Sequence, residues 1–201
     1  MKTIEYPIIV SKVSNHRKHK KILLDKIQKY QNKYNTGWNY RTADWSSPST
    51  ESNLTSDWGE PVEGTDRSYL DYFYSEIINP VMDNVATNLG FADYDWKIVN
   101  SWFQQYTDGA EHGWHNHSGA QFTNCYYIEL PDTKYKTEVV GSDRELVEFE
   151  AKEGDIVTIP AWMEHRAPPV GNERKTVISF NSSFMVKHSQ EGLTISYGSM
   201  H

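Results

Sequence analysis

From Trp96 onward the chain is a succession of short β-prone runs cut by turn signals, and this pattern restricts the fold more than any other feature. Trp96–Tyr106 (WKIVNSWFQQY) reads as a strand in which Trp102, Gln104 and Tyr106 share a face, because strand side chains alternate. Asp108-Gly109 is a turn signal. Gln121–Leu130 is a second strand, ended by Pro131-Asp132. Val147, Phe149 and Ala151 alternate in a third, and Glu153-Gly154-Asp155 turns into Ile156–Ile159. Lys175–Phe184 (KTVISFNSSF) is a further strand, and Thr194–Tyr197 reads as a last one. Many short strands with turn punctuation predict a barrel or sandwich.

The first half has a different texture. Thr3–Val10 alternates weakly and reads as an opening strand. Ser14 or Asn15 is placed to cap a helix over His16–Tyr34, where Leu23, Ile27, Tyr30 and Tyr34 form one apolar stripe. The basic run His16–Lys21 reads as a solvated face of that helix. Thr65 is placed to cap a second helix from Asp66, with Leu70, Phe73, Ile77, Val81, Val85 and Leu89 at helical spacing. Pro80 should kink or split it, and Gly90 should stop it. Between the helices, Asn35–Gly64 is polar yet carries Trp38, Trp45 and Trp58, expected to pin the loop onto the domain or to line a cleft. The expectation is a mainly β protein with flanking helices. Its 201 residues are expected to form one domain, with 1–95 supplying the strand, helices and Trp-bearing loop, and 96–201 the β core.

Composition excludes several classes. A net charge of −7 argues against a nucleic-acid surface. Cys125 is the only cysteine, so no internal disulfide forms, and its place in an apolar run reads as a buried strand residue. No signal-peptide pattern opens the chain and no apolar stretch is long enough for a membrane span, so a soluble, reducing compartment is expected. Asn53-Leu54-Thr55 matches a glycosylation acceptor, which without a secretion signal reads as chance.

The chemistry concentrates in His112–Leu130, HGWHNHSGAQFTNCYYIEL. His115 and His117 are one residue apart, so an extended backbone points both rings the same way as a two-point metal clamp. The best third ligand is His165, in IPAWMEHRAPP. Three histidines on one face of an octahedral ion leave three positions open for O₂ and a chelating cosubstrate. His112 reads as a loop residue, with a substitute-ligand role as the alternative. A basic residue ten positions past His165 is placed to bind the far carboxylate of a dicarboxylic acid. Val177, Ser179 and Asn181 share the Lys175 face. Trp102, Gln104 and Asn124 are candidates to line the pocket and meet substrate.

These pieces together (Trp102 with HNH, CYYIELP, EGDIVTIPAWMEHRAPP and RKTVISFN) resemble the Fe(II)/2-oxoglutarate-dependent oxygenases. The likeness is greatest to the prolyl-hydroxylase-like branch, which includes small oxygenases of phages and bacteria. It covers roughly residues 96–184 and extends loosely upstream through SNLTSDWGE and the helices. It implies a double-stranded β-helix, a jelly-roll or cupin-like barrel with a helical layer. It also implies Fe(II) and 2-oxoglutarate as cofactors, with hydroxylation of a C–H bond as succinate and CO₂ are released. Residue by residue, His115 matches the first metal histidine and His165 the distal one. Lys175, with Arg174 in reserve, matches the basic anchor. Ser179 and Asn181 complete the basic-x-x-x-S-F-N strand. Tyr127 matches a tyrosine that reaches the cosubstrate's far carboxylate. His117 departs from the pattern, which has Asp or Glu there.

The leading expectation is therefore an Fe(II)/2-oxoglutarate oxygenase acting on a peptide or small molecule in the cytoplasm, a host's if the chain is viral. One alternative is a three-histidine dioxygenase that uses no 2-oxoglutarate. Another is a non-catalytic metal-binding jelly-roll module.

Overall fold

The computed structural model describes residues 7–34, 53–58, 65–91 and 93–186. Trp38, Trp45 and the expected strand Thr194–Tyr197 lie outside them. The strands in chain order are β1 (Ile9–Lys12), β2 (Leu54–Ser56), β3 (Tyr94–Tyr106), β4 (His112–His115), β5 (Phe122–Glu129), β6 (Glu138–Val139), β7 (Asp155–Pro160), β8 (His165–Ala167) and β9 (Lys175–Val186). They form a six-stranded sheet, β1-β7-β5-β9-β3-β2, and a three-stranded sheet, β4-β8-β6. Every named pairing is antiparallel. Neighbours in the sheets are rarely neighbours in sequence, the arrangement of a double-stranded β-helix. It is not closed into a barrel.

The helices are α1 (His16–Tyr34), α2 (Ser68–Phe73) and α3 (Asn79–Asn88). A single π-helical stretch, Tyr74–Ile78, joins α2 to α3. Here the expected kink at Pro80 takes a specific form. Proline has no N–H to continue the α ladder, and the extra residue of a π turn absorbs the mismatch before Pro80 opens α3. Gly90 ends α3 at φ +70°, with the Phe91 N–H donating to the Ala86 carbonyl at 2.9 Å. Two local expectations are corrected. Thr65 does not cap the second helix, which starts at Ser68 with Arg67 at the cap position. Val147–Ala151 is not a strand: its apolar side chains do face inward, but only Val140 and Leu146 form an isolated bridge. Alternation there satisfies burial without a partner strand to complete the ladder.

All three helices cover one face of the six-stranded sheet. Leu23, Ile27, Phe73, Ile77, Met82 and Val85 pack there against Phe103, Tyr126, Ile156, Ile178 and Phe180. Phe73 lies at the centre, 5.3 Å from the Phe180 ring and 6.1 Å from that of Tyr126. The opposite face of the same strands carries Tyr106, Tyr127, Val157, Ile159 and Val177 and looks toward the small sheet. Register aligns the two outlooks. Trp102, Gln104 and Tyr106 on β3 stand opposite Ser179, Val177 and Lys175 on β9.

Asp57, rather than a tryptophan, anchors the described end of the Trp-bearing loop. Its buried carboxylate accepts the Phe103 N–H at 2.9 Å and the Tyr69 hydroxyl at 2.5 Å, and pairs with Arg67 at 3.3 Å. Trp58 sits beside it, 42% exposed, with its ring edge-on to Trp102.

Candidate metal centre

The small sheet and the inner face of the large one enclose a cavity, and three histidines converge in it. His115 ends β4, directly opposite His165 at the start of β8. His117 lies just past β4, where its backbone N–H donates to the Ala161 carbonyl at 2.8 Å. Candidate ligand nitrogens of His115, His117 and His165 all lie within 4.8 Å of one another. A single ion bonded at roughly 2.1 Å spans at most about 4.2 Å between two nitrogens, so small ring rotations complete the set.

Each ring is held from behind. The Nδ1 of His115 is 2.7 Å from the Gly113 carbonyl, and that of His165 is 2.9 Å from the Met163 carbonyl. The Nδ1 of His117 is 2.7 Å from Asn181 Oδ1, while Asn181 Nδ2 donates to Asn100 Oδ1 at 2.7 Å. A carbonyl oxygen only accepts, so all three rings carry their proton on Nδ1 and a lone pair on Nε2. Burial and neighbouring imidazoles keep two of them neutral: His117 is pushed down to about 4 and His165 well below the usual histidine range.

Lys175 opens β9 from within the cavity. It is 1% exposed, donates from Nζ to the Tyr135 carbonyl at 2.6 Å and lies over the Tyr106 ring at 5.0 Å. It makes no ion pair among the described residues, and no Asp or Glu lines the cavity. Burial pulls its ammonium down to about 8. Arg174, one residue earlier and on the opposite strand face, lies outside the cavity. It makes a two-point pair with Glu129, at 2.7 and 2.9 Å.

The remaining sequence candidates divide. Trp102, Gln104 and Ser179 line the cavity. Gln104 accepts from the Ser179 hydroxyl at 3.0 Å, and Trp102 lies against the His117 ring at 6.0 Å. Asn181, expected at the cosubstrate, instead holds His117. Tyr127 sits beneath Lys175, but its hydroxyl both donates to Thr137 Oγ1 and accepts the Thr137 N–H. Asn124 borders the cavity by its place on β5, yet its side chain is spent elsewhere. It bonds to the Phe180 carbonyl and the hydroxyls of Ser182 and Thr158.

Tyr106 and His112 line the cavity although sequence reasoning left both out of the site. Tyr106 was legible, since the alternation that marks Trp102 and Gln104 marks it as well. His112 was not. It stacks on His115 inside the cavity, because the β4–β8 register shifts between the two. Burial, then the nearby imidazoles, push it down to about 3.

No family model matches the chain, and no curated protein matches its sequence. Solved structures do match its fold. A prolyl-4-hydroxylase from Pseudomonas putida is 11% identical, with a TM-score of 0.58 over 89% of this chain and 93% of that one. A Trichoplax adhaerens prolyl hydroxylase, solved with a hypoxia-inducible-factor peptide fragment, is 12% identical, with a TM-score of 0.59 over 87% and 82%. A viral collagen prolyl hydroxylase from Paramecium Bursaria Chlorella virus-1, solved as its 2OG complex, is 12% identical, with a TM-score of 0.53 over 89% and 95%. The chain thus has the double-stranded β-helix fold of these hydroxylases. No helix among the described residues is long and apolar enough to cross a membrane.

Proposed function

We propose that the protein is an Fe(II)- and 2-oxoglutarate-dependent oxygenase that hydroxylates a C–H bond, with both halves of the chain forming one oxygenase domain. The observation that carries this reading is a buried lysine without an ion-pair partner among the described residues, in the cavity that also holds three metal-directed histidines. A cation buried without a counter-charge is costly, and an anion bound there offsets the cost.

The donor set fits the metal. Three neutral Nε2 atoms on one side suit a divalent first-row ion and leave its other side open. His117 stands where a carboxylate would lower the charge of the centre, so the ligand set is neutral and the ion keeps its full charge. An anionic chelate restores the balance. In this reading His115, His117 and His165 hold the iron, and Lys175 takes the far carboxylate, with the Tyr106 ring against its ammonium. When bound, iron with 2-oxoglutarate supplies the oxidising power for C–H hydroxylation as the oxoacid becomes succinate and CO₂. The protein's share is to orient the anion, keep the imidazoles unprotonated and shut bulk water out.

The substrate side is the rim near His117. Trp102 touches that ring, Trp58 stands edge-on to Trp102, and Trp162, 61% exposed, follows Ala161. Such a rim suits a peptide or small molecule that presents apolar surface, and a neighbour of the same fold is solved with a peptide fragment.

The test is succinate release from 2-oxoglutarate with Fe(II) and O₂, screened against peptide and metabolite pools. Turnover in the parent and none in His165→Ala is expected. Oxygen consumption without succinate would transfer the assignment to a three-histidine dioxygenase. Metal binding with neither would leave a non-catalytic module.

A further inference from the structure

His112 is a fourth cavity histidine that contributes no nitrogen to the metal-directed cluster. On a regular strand, residues three apart face opposite ways. The register shift in β4 turns His112 and His115 to the same side, and their rings stack with centroids 4.0 Å apart at 20°. Nδ1 of His112 lies 3.3 Å from Gln104 Nε2, and Gln104 Oε1 accepts from Ser179 Oγ at 3.0 Å. With Gln104 held in that orientation its amide nitrogen only donates, so Nδ1 of His112 is an acceptor and the ring proton sits on Nε2. This is the reverse of the other three rings. They turn lone pairs into the cavity, whereas His112 carries an N–H at the same ring position. That N–H makes no hydrogen bond among the described residues.

We propose that His112 is a non-ligating positioning residue whose Nε2–H donates to an oxygen of the carboxylate ligand bracketed by the histidine triad and Lys175. Its tautomer follows from Gln104 alone. The identity of the ligand rests on the 2-oxoglutarate reading above. Gln104 then acts through His112: it sets which nitrogen carries the proton, and so decides whether the fourth ring competes for metal or holds the anion.

The tautomer is read directly by long-range ¹H–¹⁵N correlation of the imidazoles in the metal-free and Zn(II)-loaded protein. Nε2 of His112 is expected to bear the proton in both states, while Nε2 of His115, His117 and His165 shows a coordination shift on loading. A proton on Nδ1 of His112, or a coordination shift at its Nε2, overturns the proposal. Calorimetry of 2-oxoglutarate binding to the Zn(II)-loaded protein tests the donor role. His112→Phe keeps a ring to stack on His115 but no N–H, and should weaken binding about tenfold. His112→Gln restores an N–H and should come within about threefold of the parent. Unchanged affinity in His112→Phe overturns the donor role. If the parent binds no 2-oxoglutarate, it is the cosubstrate reading that fails. The tautomer measurement still decides whether His112 is a donor or a ligand.

Discussion

The two faces of the six-stranded sheet are both buried, yet they are built on opposite terms. The helical face is apolar and aromatic: Phe73, Tyr126, Ile178 and Phe180 fill it, and Asn124 beside them is bonded through both atoms of its amide. The cavity face of the same strands holds Lys175, Gln104 and Ser179 and looks onto four histidines. Adjacent residues on one strand serve the two sides, as Phe180 and Asn181 do on β9. The contrast teaches a division of labour. One face supplies the stability that lets the other keep polar groups poised out of water.

The sharpest way to break this division is Phe73→Ala. Removing a fully buried aromatic side chain should cost about 3–5 kcal/mol of stability. Denaturant unfolding would measure it. The affinity of the folded fraction for Co(II) should stay within about threefold of the parent, since the change lies across the sheet from the site. A large loss of metal affinity at full folding would show that the faces are coupled.

Lys175→Ala is the complementary change. It should weaken 2-oxoglutarate binding to the metal-loaded protein by about 100-fold while metal binding is kept, because it removes a charge-assisted contact from a buried site. The pH dependence of the parent sharpens this. The folded-state ammonium is pulled down to about 8, so dicarboxylate binding should weaken as pH rises past about 8. Over the same range, up to the ordinary lysine value, the stability of the ligand-free protein should rise. The unfolded chain stays protonated there while the folded one sheds its buried charge. Calorimetry and chemical denaturation between pH 7 and 10 would show opposite slopes. Parallel slopes would place the titration elsewhere.

Asn181→Ala should lower metal affinity by about 10–100-fold, the usual cost of losing the group that orients a ligating histidine. Competition against a chelating dye would measure it, and loss of 2-oxoglutarate binding with metal affinity intact would return Asn181 to the cosubstrate. Arg174→Ala should do least. Its pair with Glu129 is partly exposed, so about 0–1 kcal/mol of stability is at stake, and 2-oxoglutarate affinity should not change. A fall in that affinity would move the anchor from Lys175 to Arg174.

Strand alternation and spacing made much of this legible beforehand. His115, His117 and His165 stood out by residue type, and the parity of β9 separated Lys175 from Arg174. Where the reading failed, a contact remote in sequence decided the outcome. Tyr127 shares the Lys175 side, but Thr137 occupies its hydroxyl. Asn181 shares that side too, but His117 lies within reach and takes its carbonyl. Asn124 lines the pocket as expected, but its amide is engaged by Phe180, Ser182 and Thr158.

The sequence by itself determined which residues could alternate, which would be buried and which chemical groups the cavity would contain. Those follow from side-chain type and from the two-residue period of a strand, both local properties. Only the tertiary structure decided which hydrogen-bonding group meets which. The register shift in β4 is the clearest case: a mismatch against β8 turns His112 inward, beside Gln104 from a different sheet. Register and proton placement depend on partners brought together by the fold, and no period in the chain encodes them.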